Sequence, residues 1–320
     1  MKKNGNNHPR ILICMATYNG EKYLEQQLES LAHQTYQDFL LLVHDDGSTD
    51  RTRDILKKWE KEQKISMFFL DDGQCLRDSS KNFVYLLSYA EKELGDFSYY
   101  MFCDQDDVWR EDKVEITLEK IQQEEQKCPG PILVHTDLEV VDENLITLES
   151  SYMKYRSIDP TITALNRMLI QNNVTGCTML WNHKLNQLIR WEQMHPAMHD
   201  WWISLTATLL GRVVFLNQST IFYRQHGENV VGATKVNSLS FILRRLSNLK
   251  HVRMKFRQSV KQAQDLKKQY GSLCNQQDRK YLEVFSRLYQ VNKMTRLYLI
   301  LKYRFLKQSP IQIIGELLFI

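Results

Sequence analysis

Three aspartates lie within four positions of the segment MFCDQDDVWR, residues 101–110, directly after an apolar and aromatic run. Asp104, Asp106 and Asp107 repel one another when ionised, and carboxylates at the end of a buried strand are costly without a positive charge nearby. Capping of the helix predicted to begin near Trp109 is an alternative role for Asp107, but it does not explain the whole cluster. The segment therefore requires a compensating positive charge.

Polar segments also follow the first two predicted strands, as TYNGE (17–21) and HDDGSTD (44–50). In an open α/β sheet, ligands bind outside the carboxyl ends of the strands, where these segments and DQDD (104–107) converge. No GxGxxG follows the first strand and no GxxxxGK[ST] occurs. The sequence therefore predicts a ligand site at this edge, but not a dinucleotide-binding turn or a P-loop.

Alternating strands and helices must position these segments. Short apolar runs predict strands, and 3.6-residue periodicity predicts helices between them. The near-continuous apolar strands favour a Rossmann-like, mostly parallel sheet with helices on both faces. The predicted strands are 10–16, 38–50, 65–72, 97–107, 131–144 and 212–227, and the predicted helices are 21–33, 51–62, 80–94, 161–171, 200–210 and most of the chain beyond 238.

The composition is that of a globular protein, with 43% hydrophobic and 25% charged residues among 320. This length suits one large domain with an appendage, or two domains. No apolar run is long enough for a membrane-spanning helix, and MKKNGNNHPR lacks the apolar core of a signal peptide. The six cysteines are scattered without a CxxC pair. These features predict a reduced, cytoplasmic protein without a zinc site.

Charge divides the chain into residues 1–234 and a basic helical region, 235–320, which has 18 Lys and Arg against 4 Asp and Glu. Within the basic region, Val291, Met294, Tyr298, Leu301 and Phe305 follow helical spacing. A basic amphipathic helix can lie in a membrane interface. The alternatives are that the stripe packs on the rest of the chain or on a second subunit, as in a homo-oligomer.

The segments ATYNG, VHDDGSTD, FCDQDDVW, HDWW and YRQHGEN occur in that order. Over roughly residues 10–232 the chain resembles the family 2 glycosyltransferases with a GT-A fold. Within that family it is most similar to bacterial rhamnosyltransferases of surface-polysaccharide assembly. The resemblance implies a nucleotide-sugar donor, a divalent metal and inversion at the anomeric carbon. The compensating charge would then be Mn²⁺ or Mg²⁺ on the donor diphosphate.

The resemblance also implies the metal ligands. Asp106 would bind the metal directly, and Asp104 would face the ribose or a metal-bound water. His226, in YRQHGEN, would complete the metal shell, and its imidazole suits Mn²⁺ better than Mg²⁺. Asp107 would orient the loop.

The base and ribose of the donor would lie against the first two polar segments. By resemblance, Asp46 accepts a hydrogen bond from the N3–H of uracil or thymine, although it could serve only as a turn residue. Thr17, Tyr18 and Glu21 occupy positions that surround the base and ribose in the family, and Tyr18 could equally be packed in the core.

The acceptor side carries the remaining chemistry. Where the family usually has Glu-Asp, this sequence has His199-Asp200. Asp200 would be the general base that deprotonates the acceptor hydroxyl, with helix capping as the alternative, and His199 would orient the acceptor. Asn172, Asn173 and Thr175 could bind sugar hydroxyls or form a plain loop.

These interpretations predict a metal-dependent, inverting transferase. It would move rhamnose from dTDP-rhamnose to a lipid-linked saccharide at the inner face of the cell membrane. One alternative is the same fold acting on a UDP-hexose or UDP-N-acetylhexosamine. A nucleic-acid-binding protein is disfavoured because the strand ends are acidic and no RNA-binding aromatic motif is present. A catalytically inactive scaffold is disfavoured by the intact set of acids.

Overall fold

A computed structural model describes residues 11–190, 197–226 and 249–319. The N-terminal segment 1–10, on which the prediction of no signal peptide depends, lies outside the described residues. The same is true of 227–248, which include the end of YRQHGEN and the proposed boundary between 234 and 235.

Within the described ranges, nine strands form one mixed sheet in the order β3-β2-β1-β4-β8-β6-β9-β5, with β7 paired to β6. The strands are β1 (Ile11–Thr17), β2 (Phe39–Asp45), β3 (Met67–Leu70), β4 (Tyr99–Cys103), β5 (Val108–Trp109), β6 (Ile132–Val141), β7 (Thr147–Glu149), β8 (Leu180–Asn182) and β9 (Arg212–Arg224). The first four pair in parallel, which confirms the predicted half of the sheet. The second half joins through β8, antiparallel to both β4 and β6.

Helices cover the sheet, which confirms the predicted α/β class. They are α1 (Leu24–Ala32), α2 (Thr52–Glu62), α3 (Ser79–Tyr89), α4 (Lys113–Lys127), α5 (Tyr152–Tyr155), α6 (Leu165–Met168), α7 (His183–Asn186), α8 (His199–Leu210), α9 (Leu249–Tyr270), α10 (Gln276–Phe285), α11 (Lys293–Tyr303) and α12 (Pro310–Phe319). A π-helical turn, Ala90–Leu94, extends α3, and 3₁₀ turns occupy Gly176–Thr178 and Leu288–Gln290. The helix predicted over 161–171 is reduced to the single turn of α6.

Two hydrophobic clusters lie on opposite faces of the sheet. Leu12 and Cys14 of β1 belong to one, and the alternate residues Ile11, Ile13 and Met15 belong to the other. All five are buried, as expected of a strand covered on both faces. This double cover explains the near-continuous apolar runs of the sequence.

The basic C-terminal helices extend the first cluster. Phe256 of α9, Phe285 of α10 and Phe305 after α11 are buried in it together with strand residues. Full burial of such a side chain contributes about 1.5–3 kcal/mol. The described part of the C-terminal region is therefore packed onto the sheet domain.

The predicted apolar stripe is partly buried and partly exposed. Phe305 is fully buried, but Met294, Tyr298 and Leu301 are exposed, with 76% of the Met294 surface open to solvent. Ile314 and Leu318 of α12 are exposed as well. Most of the stripe therefore does not pack on the rest of the chain. Among the described helices, none combines the length and apolar character that crossing a bilayer requires.

Candidate active site

The acidic loop after β4 is the centre of the site. Parallel pairing of β4 with β1 ends at Met15 and Cys103, so the following residues leave the sheet at its carboxyl edge. Asp104 is partly exposed there, and Asp107 is completely buried. Asp104 therefore lies at the open side of the loop, and Asp107 lies inside the protein.

Asp106 lies against His226, as the prediction of a shared metal site requires. The His226 Nε2 is 2.7 Å from Asp106 Oδ2. The His226 ring lies 4.9 Å from the Tyr23 ring, which holds it beside the loop. Two residues separated by 120 positions therefore meet at one point, because β9 ends next to the loop that follows β4.

Asp104 is in a crowded acidic environment. Burial and the neighbouring Asp106 carboxylate raise the Asp104 pKa to about 7, while a hydrogen bond from the Cys177 thiol opposes that shift. Ligand atoms of Asp104, Asp107 and Cys177 lie within 4.8 Å of one another. This cluster differs from the predicted ligand set, because Asp107 and Cys177 stand in place of Asp106 and His226. A divalent cation would relieve the repulsion, and the predicted set of two carboxylates and an imidazole has donor atoms that Mn²⁺ accepts. The residues present therefore fit the implied metal.

The protein supplies one cation of its own beneath the acids. Lys113, at the start of α4, is completely buried, and its ammonium lies 4.5 Å from the centre of the Trp109 ring. Burial lowers the Lys113 pKa to about 8, opposed by the attraction of Asp107 and two cysteine thiols. Among the described residues, neither the Lys113 ammonium nor Asp107 Oδ2 has a hydrogen-bond partner. Lys113 is therefore one source of the positive charge that the acidic segment requires.

Arg224 ties the acidic loop to β9. Its side chain donates from Nε to the Asp106 carbonyl oxygen at 2.9 Å, and its backbone N–H donates to Asp107 Oδ1 at 3.0 Å. The guanidinium also donates to Gln26 Oε1 at 2.6 Å and lies 4.5 Å from the Tyr23 ring centre. This network fixes the loop and places His226 two residues further on.

Asp46 holds the segment that follows β3. Its carboxylate accepts hydrogen bonds from the backbone N–H groups of Leu76, Arg77 and Asp78, the last two at 3.0 and 3.1 Å. Each carboxylate oxygen has two lone pairs, so a base N–H can still be accepted alongside these bonds. The neighbouring Asp45 closes the turn by accepting from Ser48 N–H at 2.9 Å.

Thr17, Tyr18 and Glu21 have different surroundings. Thr17 is buried and donates to Asp45 Oδ1 at 3.0 Å. Tyr18 is 56% exposed, which argues against its alternative as a packed core residue. Glu21 accepts from the Arg51 backbone N–H at 2.9 Å. Tyr18 is thus the member of the three whose side chain is most open to a ligand.

Asp200 lies in the first turn of α8, one residue beyond the helix start, rather than at the capping position. It accepts from Trp201 N–H at 2.6 Å and from the Gly176 backbone. A Cβ on Gly176 would be 3.2 Å from His199 Nε2 and 3.4 Å from Asp200 Cβ, so a glycine lets the loop approach both side chains. Burial raises the Asp200 pKa to about 7 despite these hydrogen bonds, which is the range of an effective general base.

His199 faces the hydrophobic core. Its ring lies 4.5 Å from the Phe83 ring and 4.8 Å from the Phe102 ring, and 6% of the residue is exposed. Burial lowers its pKa to about 3, so the imidazole is neutral near pH 7 and a weak base. These surroundings favour Asp200 over His199 as the proton acceptor, and the role of His199 in orienting the acceptor stays a prediction.

The asparagines proposed for acceptor binding are used within the fold. Asn172 Nδ2 donates to the Val174 carbonyl at 2.7 Å, and Asn173 Nδ2 donates to the Ile162 carbonyl at 2.5 Å. Their acceptor-binding role is left without support, because these amides already stabilise the loop before β8.

Sequence reasoning missed three residues of the site: Lys113, Cys177 and Arg224. The detectable signal was charge close to apolar segments, because Arg224 lies within the predicted strand 212–227 and Lys113 lies six residues after Asp107. Cys177 had no comparable signal.

A mixed sheet with acidic loops at the carboxyl ends of its parallel strands, facing a carboxylate on a separate helix, defines a GT-A-type nucleotide-sugar transferase. The family model described as glycosyl transferase family 2 matches residues 12–188, more than half of the chain. The protein therefore belongs to glycosyl transferase family 2, an inverting family of enzymes.

Relatives and solved structures agree with this assignment. The dTDP-rhamnosyl transferase RfbG of Shigella flexneri is 27% identical over 229 residues, which cover 68% of this chain and 74% of the relative. An uncharacterised glycosyltransferase of Haemophilus influenzae is 26% identical and covers 73% and 84% of the two chains. The structure of S. aureus TarS 1–349 in complex with UDP-GlcNAc superposes with a TM-score of 0.55 at 15% identity, over 91% of this chain and 83% of TarS 1–349. The last similarity concerns the fold alone.

Proposed function

We propose that this enzyme transfers one sugar, with inversion, from a nucleotide diphosphate to a hydroxyl of a saccharide acceptor. The observation that carries the proposal is the meeting of Asp106 and His226 at 2.7 Å in a site that also contains Asp104 and Asp200. Asp200 interacts electrostatically with Asp104, which supports a proposed base close to the proposed metal side.

In the proposed reaction, Asp200 takes the proton of the acceptor hydroxyl. The resulting oxygen attacks the anomeric carbon, and the bond from that carbon to the diphosphate oxygen breaks on the opposite face. Asp106 and His226, with Asp104, would hold Mn²⁺ or Mg²⁺, which when bound neutralises charge on the departing diphosphate. Lys113 and Arg224 keep the acidic loop in place, and Asp46 and Tyr18 receive the base and ribose.

For the donor we favour dTDP-rhamnose. The support is the similarity to a dTDP-rhamnosyl transferase across about two thirds of the chain. A UDP-hexose or UDP-N-acetylhexosamine is the alternative, because the structurally similar TarS is described with UDP-GlcNAc. A Mn²⁺ requirement is supported by the His226 imidazole and by PcManGT of Pyrobaculum calidifontis, whose structure is described with GDP-Man and Mn²⁺ and matches with a TM-score of 0.50.

A thermal-shift screen of nucleotide sugars with and without Mn²⁺ tests the proposal. A donor at one hundred times its Kd stabilises the folded state by about 2.7 kcal/mol. We expect dTDP-rhamnose with Mn²⁺ to raise the melting temperature more than UDP-glucose or UDP-GlcNAc. If a UDP-sugar stabilises the protein and dTDP-rhamnose does not, the donor is the UDP-sugar instead of dTDP-rhamnose. No stabilisation by any nucleotide sugar, with no transfer to saccharide acceptors, would contradict the proposed function.

We further propose that the acceptor is lipid-linked and that the enzyme contacts an anionic membrane surface from the cytoplasmic side. The contact surface consists of Met294, Tyr298 and Leu301 on α11 with Ile314 and Leu318 on α12, all exposed. The two helices adjoin, because Lys293 Nζ donates to the Leu318 carbonyl at 3.4 Å. The net charge of +14 over residues 235–320 complements anionic lipid, where each basic residue near the surface contributes about 1 kcal/mol.

Co-sedimentation with vesicles of equal parts phosphatidylglycerol and phosphatidylcholine tests this surface. Combined Met294→Ser, Leu301→Ser and Ile314→Ser substitutions should lower binding, and binding of the wild type should fall with salt. Leu273→Ser is the matched control, since Leu273 is exposed outside these helices. Unchanged binding of the triple variant would exclude the surface. If the wild type is a dimer and the same substitutions dissociate it, the surface binds a second copy of the chain instead of a membrane.

A further inference from the structure

Gln105, between Asp104 and Asp106, reaches across to the loop after β1. The Tyr18 backbone N–H donates to Gln105 Oε1 at 2.9 Å, and Gln105 Nε2 donates to the Tyr18 carbonyl at 2.9 Å. The side-chain amide therefore satisfies both backbone groups of one residue, as a neighbouring strand would. Such paired bonds fix both the distance and the orientation of the two loops.

This clamp begins where regular pairing stops. The β1–β4 ladder ends at Met15 and Cys103, so its backbone pairing does not hold the loops together beyond that point. Gln105 restores a connection at Tyr18, three residues past the last residue of β1 that pairs with β4. Asp104 and Asp106, on either side of Gln105, can still face the site.

Gly20 provides the space for the clamp. A Cβ at Gly20 would lie 2.4 Å from Gln105 Oε1 and 2.7 Å from its Cδ. The Gly20 φ lies outside the left-handed region, so an alanine is compatible with the backbone there and would act only by displacing Gln105.

The other side of the same loop is tied to the turn after β2. The Asn19 N–H donates to Ser48 Oγ at 2.8 Å, and the Gly20 N–H donates to Thr52 Oγ1 at 2.7 Å. The loop of residues 18–21 thus lies between the segment that contains Asp46 and the acidic loop. The connection between residues 18–21 and the acidic loop is made by Gln105.

We propose that Gln105 is a positioning residue that fixes the metal-side loop to the base-side loop, so that a nucleotide diphosphate meets both in one preformed arrangement. The inference rests on the proposed function, in which Asp106 serves the metal and Tyr18 and Asp46 serve the nucleoside. Gln105 itself makes no contact with the donor in this assignment. Its loss should weaken nucleotide binding because the loops must then be ordered on binding.

Calorimetric titration of dTDP and UDP in the presence of Mn²⁺ provides the first test. Gln105→Ala should weaken nucleotide affinity by about tenfold, as expected for loss of two hydrogen bonds that preorganise the site. Gln105→Glu keeps an acceptor for the Tyr18 N–H but has no donor for its carbonyl, so it should not restore affinity. Gln123→Ala, an exposed glutamine of α4, is the matched control.

A double-mutant cycle tests the mechanism. Gly20→Ala should weaken nucleotide affinity in the wild type by displacing Gln105, and should have almost no further effect in Gln105→Ala. Gly130→Ala is the control, because a Cβ there meets no atom within 4 Å. If the fold losses of nucleotide affinity caused by Gly20→Ala and Gln105→Ala multiply in the double variant, the two substitutions act independently, and this would overturn the proposal. Unchanged dTDP and UDP affinity with an altered donor KM would place Gln105 on the sugar instead, which also overturns it.

Hydrogen exchange separates this inference from the proposed function. The Tyr18 amide should be protected in the wild type and exchange faster in Gln105→Ala and Gly20→Ala, but not in Gly130→Ala. If the wild type binds no nucleotide, the proposed function fails, and faster Tyr18 exchange in both variants still supports the clamp. Equal Tyr18 exchange in the wild type and in Gln105→Ala would overturn the clamp whatever the protein binds.

Discussion

Replacing Asp200 by asparagine separates proton removal from the other functions of the site. The amide side chain in Asp200→Asn has nearly the same size and can still accept from the Trp201 and Gly176 backbones, but it cannot take a proton near pH 7. In the proposed function, donor and metal binding depend on Asp46, Asp106 and other groups outside α8, so both should be nearly unchanged. Turnover should fall by the contribution of a general base, about 10²–10⁴-fold.

The pH dependence of turnover provides a second quantitative prediction. With a pKa of about 7, Asp200 is about nine-tenths ionised at pH 8 and about one-tenth ionised at pH 6. Turnover of the wild type should therefore fall about tenfold between pH 8 and pH 6, and about tenfold again by pH 5, because only the carboxylate accepts a proton. Asp200→Asn should lack this dependence.

Steady-state kinetics with saturating donor and Mn²⁺, together with calorimetric donor affinities, measure both effects. Asp54→Asn is the matched control, since Asp54 is exposed on α2, away from the acidic loop. Weakened donor affinity with normal turnover would show that Asp200 serves the donor or the fold. An acid limb that persists in Asp200→Asn would show that a different group titrates, and Asp104, whose pKa is also raised to about 7, is the first candidate.

Four further outcomes are expected. Asp106→Ala should abolish metal-dependent donor binding measured by calorimetry while leaving the circular dichroism spectrum unchanged, and His226→Ala should reduce Mn²⁺-supported turnover more than Mg²⁺-supported turnover. Burial lowers the Lys113 pKa to about 8, so ionised Lys113 costs the folded state stability at neutral pH and this cost fades as the pH rises from about 8 to about 10. Lys113→Met should therefore resist urea better, relative to the wild type, at about pH 7.5 than at about pH 10. Because the folded Asp200 pKa lies above the unfolded value, ionisation costs stability as pH rises from about 4 to 7, so Asp200→Asn should melt higher than wild type at pH 8 and show no such advantage at pH 4.

The parallel half of the sheet was predictable because its strands are buried on both faces. Such strands appear as short apolar runs. The strands β2, β3 and β4 lie inside longer predicted ranges, and β1 is displaced by one residue from its predicted range. The antiparallel strand β8 and the two-residue β5 were missed, because three or two residues carry no periodic signal. Their existence depends on partners far along the chain.

The site was predictable in part for a related reason. Asp106 and His226 could be paired only through the family resemblance, because 120 residues separate them and local pattern cannot bring them together. The surroundings of His199 were not predictable from its position beside Asp200. Its ring packs against Phe83 and Phe102, while its Nε2 faces Gly176, as Asp200 does.

The charges of the acidic loop now have a physical explanation that no single residue provides. Lys113 and Arg224 each attract Asp107 electrostatically, and the Arg224 guanidinium also donates to a carbonyl of the loop. Among the residues that the structure describes, no basic group acts on the pKa of Asp104, which burial and Asp106 raise to about 7. The protein therefore compensates the buried end of the cluster and leaves its open end deficient in positive charge. In the proposed function, Asp104, Asp106 and His226 would hold a divalent cation at this open, acidic edge, where it would neutralise charge on the donor diphosphate close to Asp200.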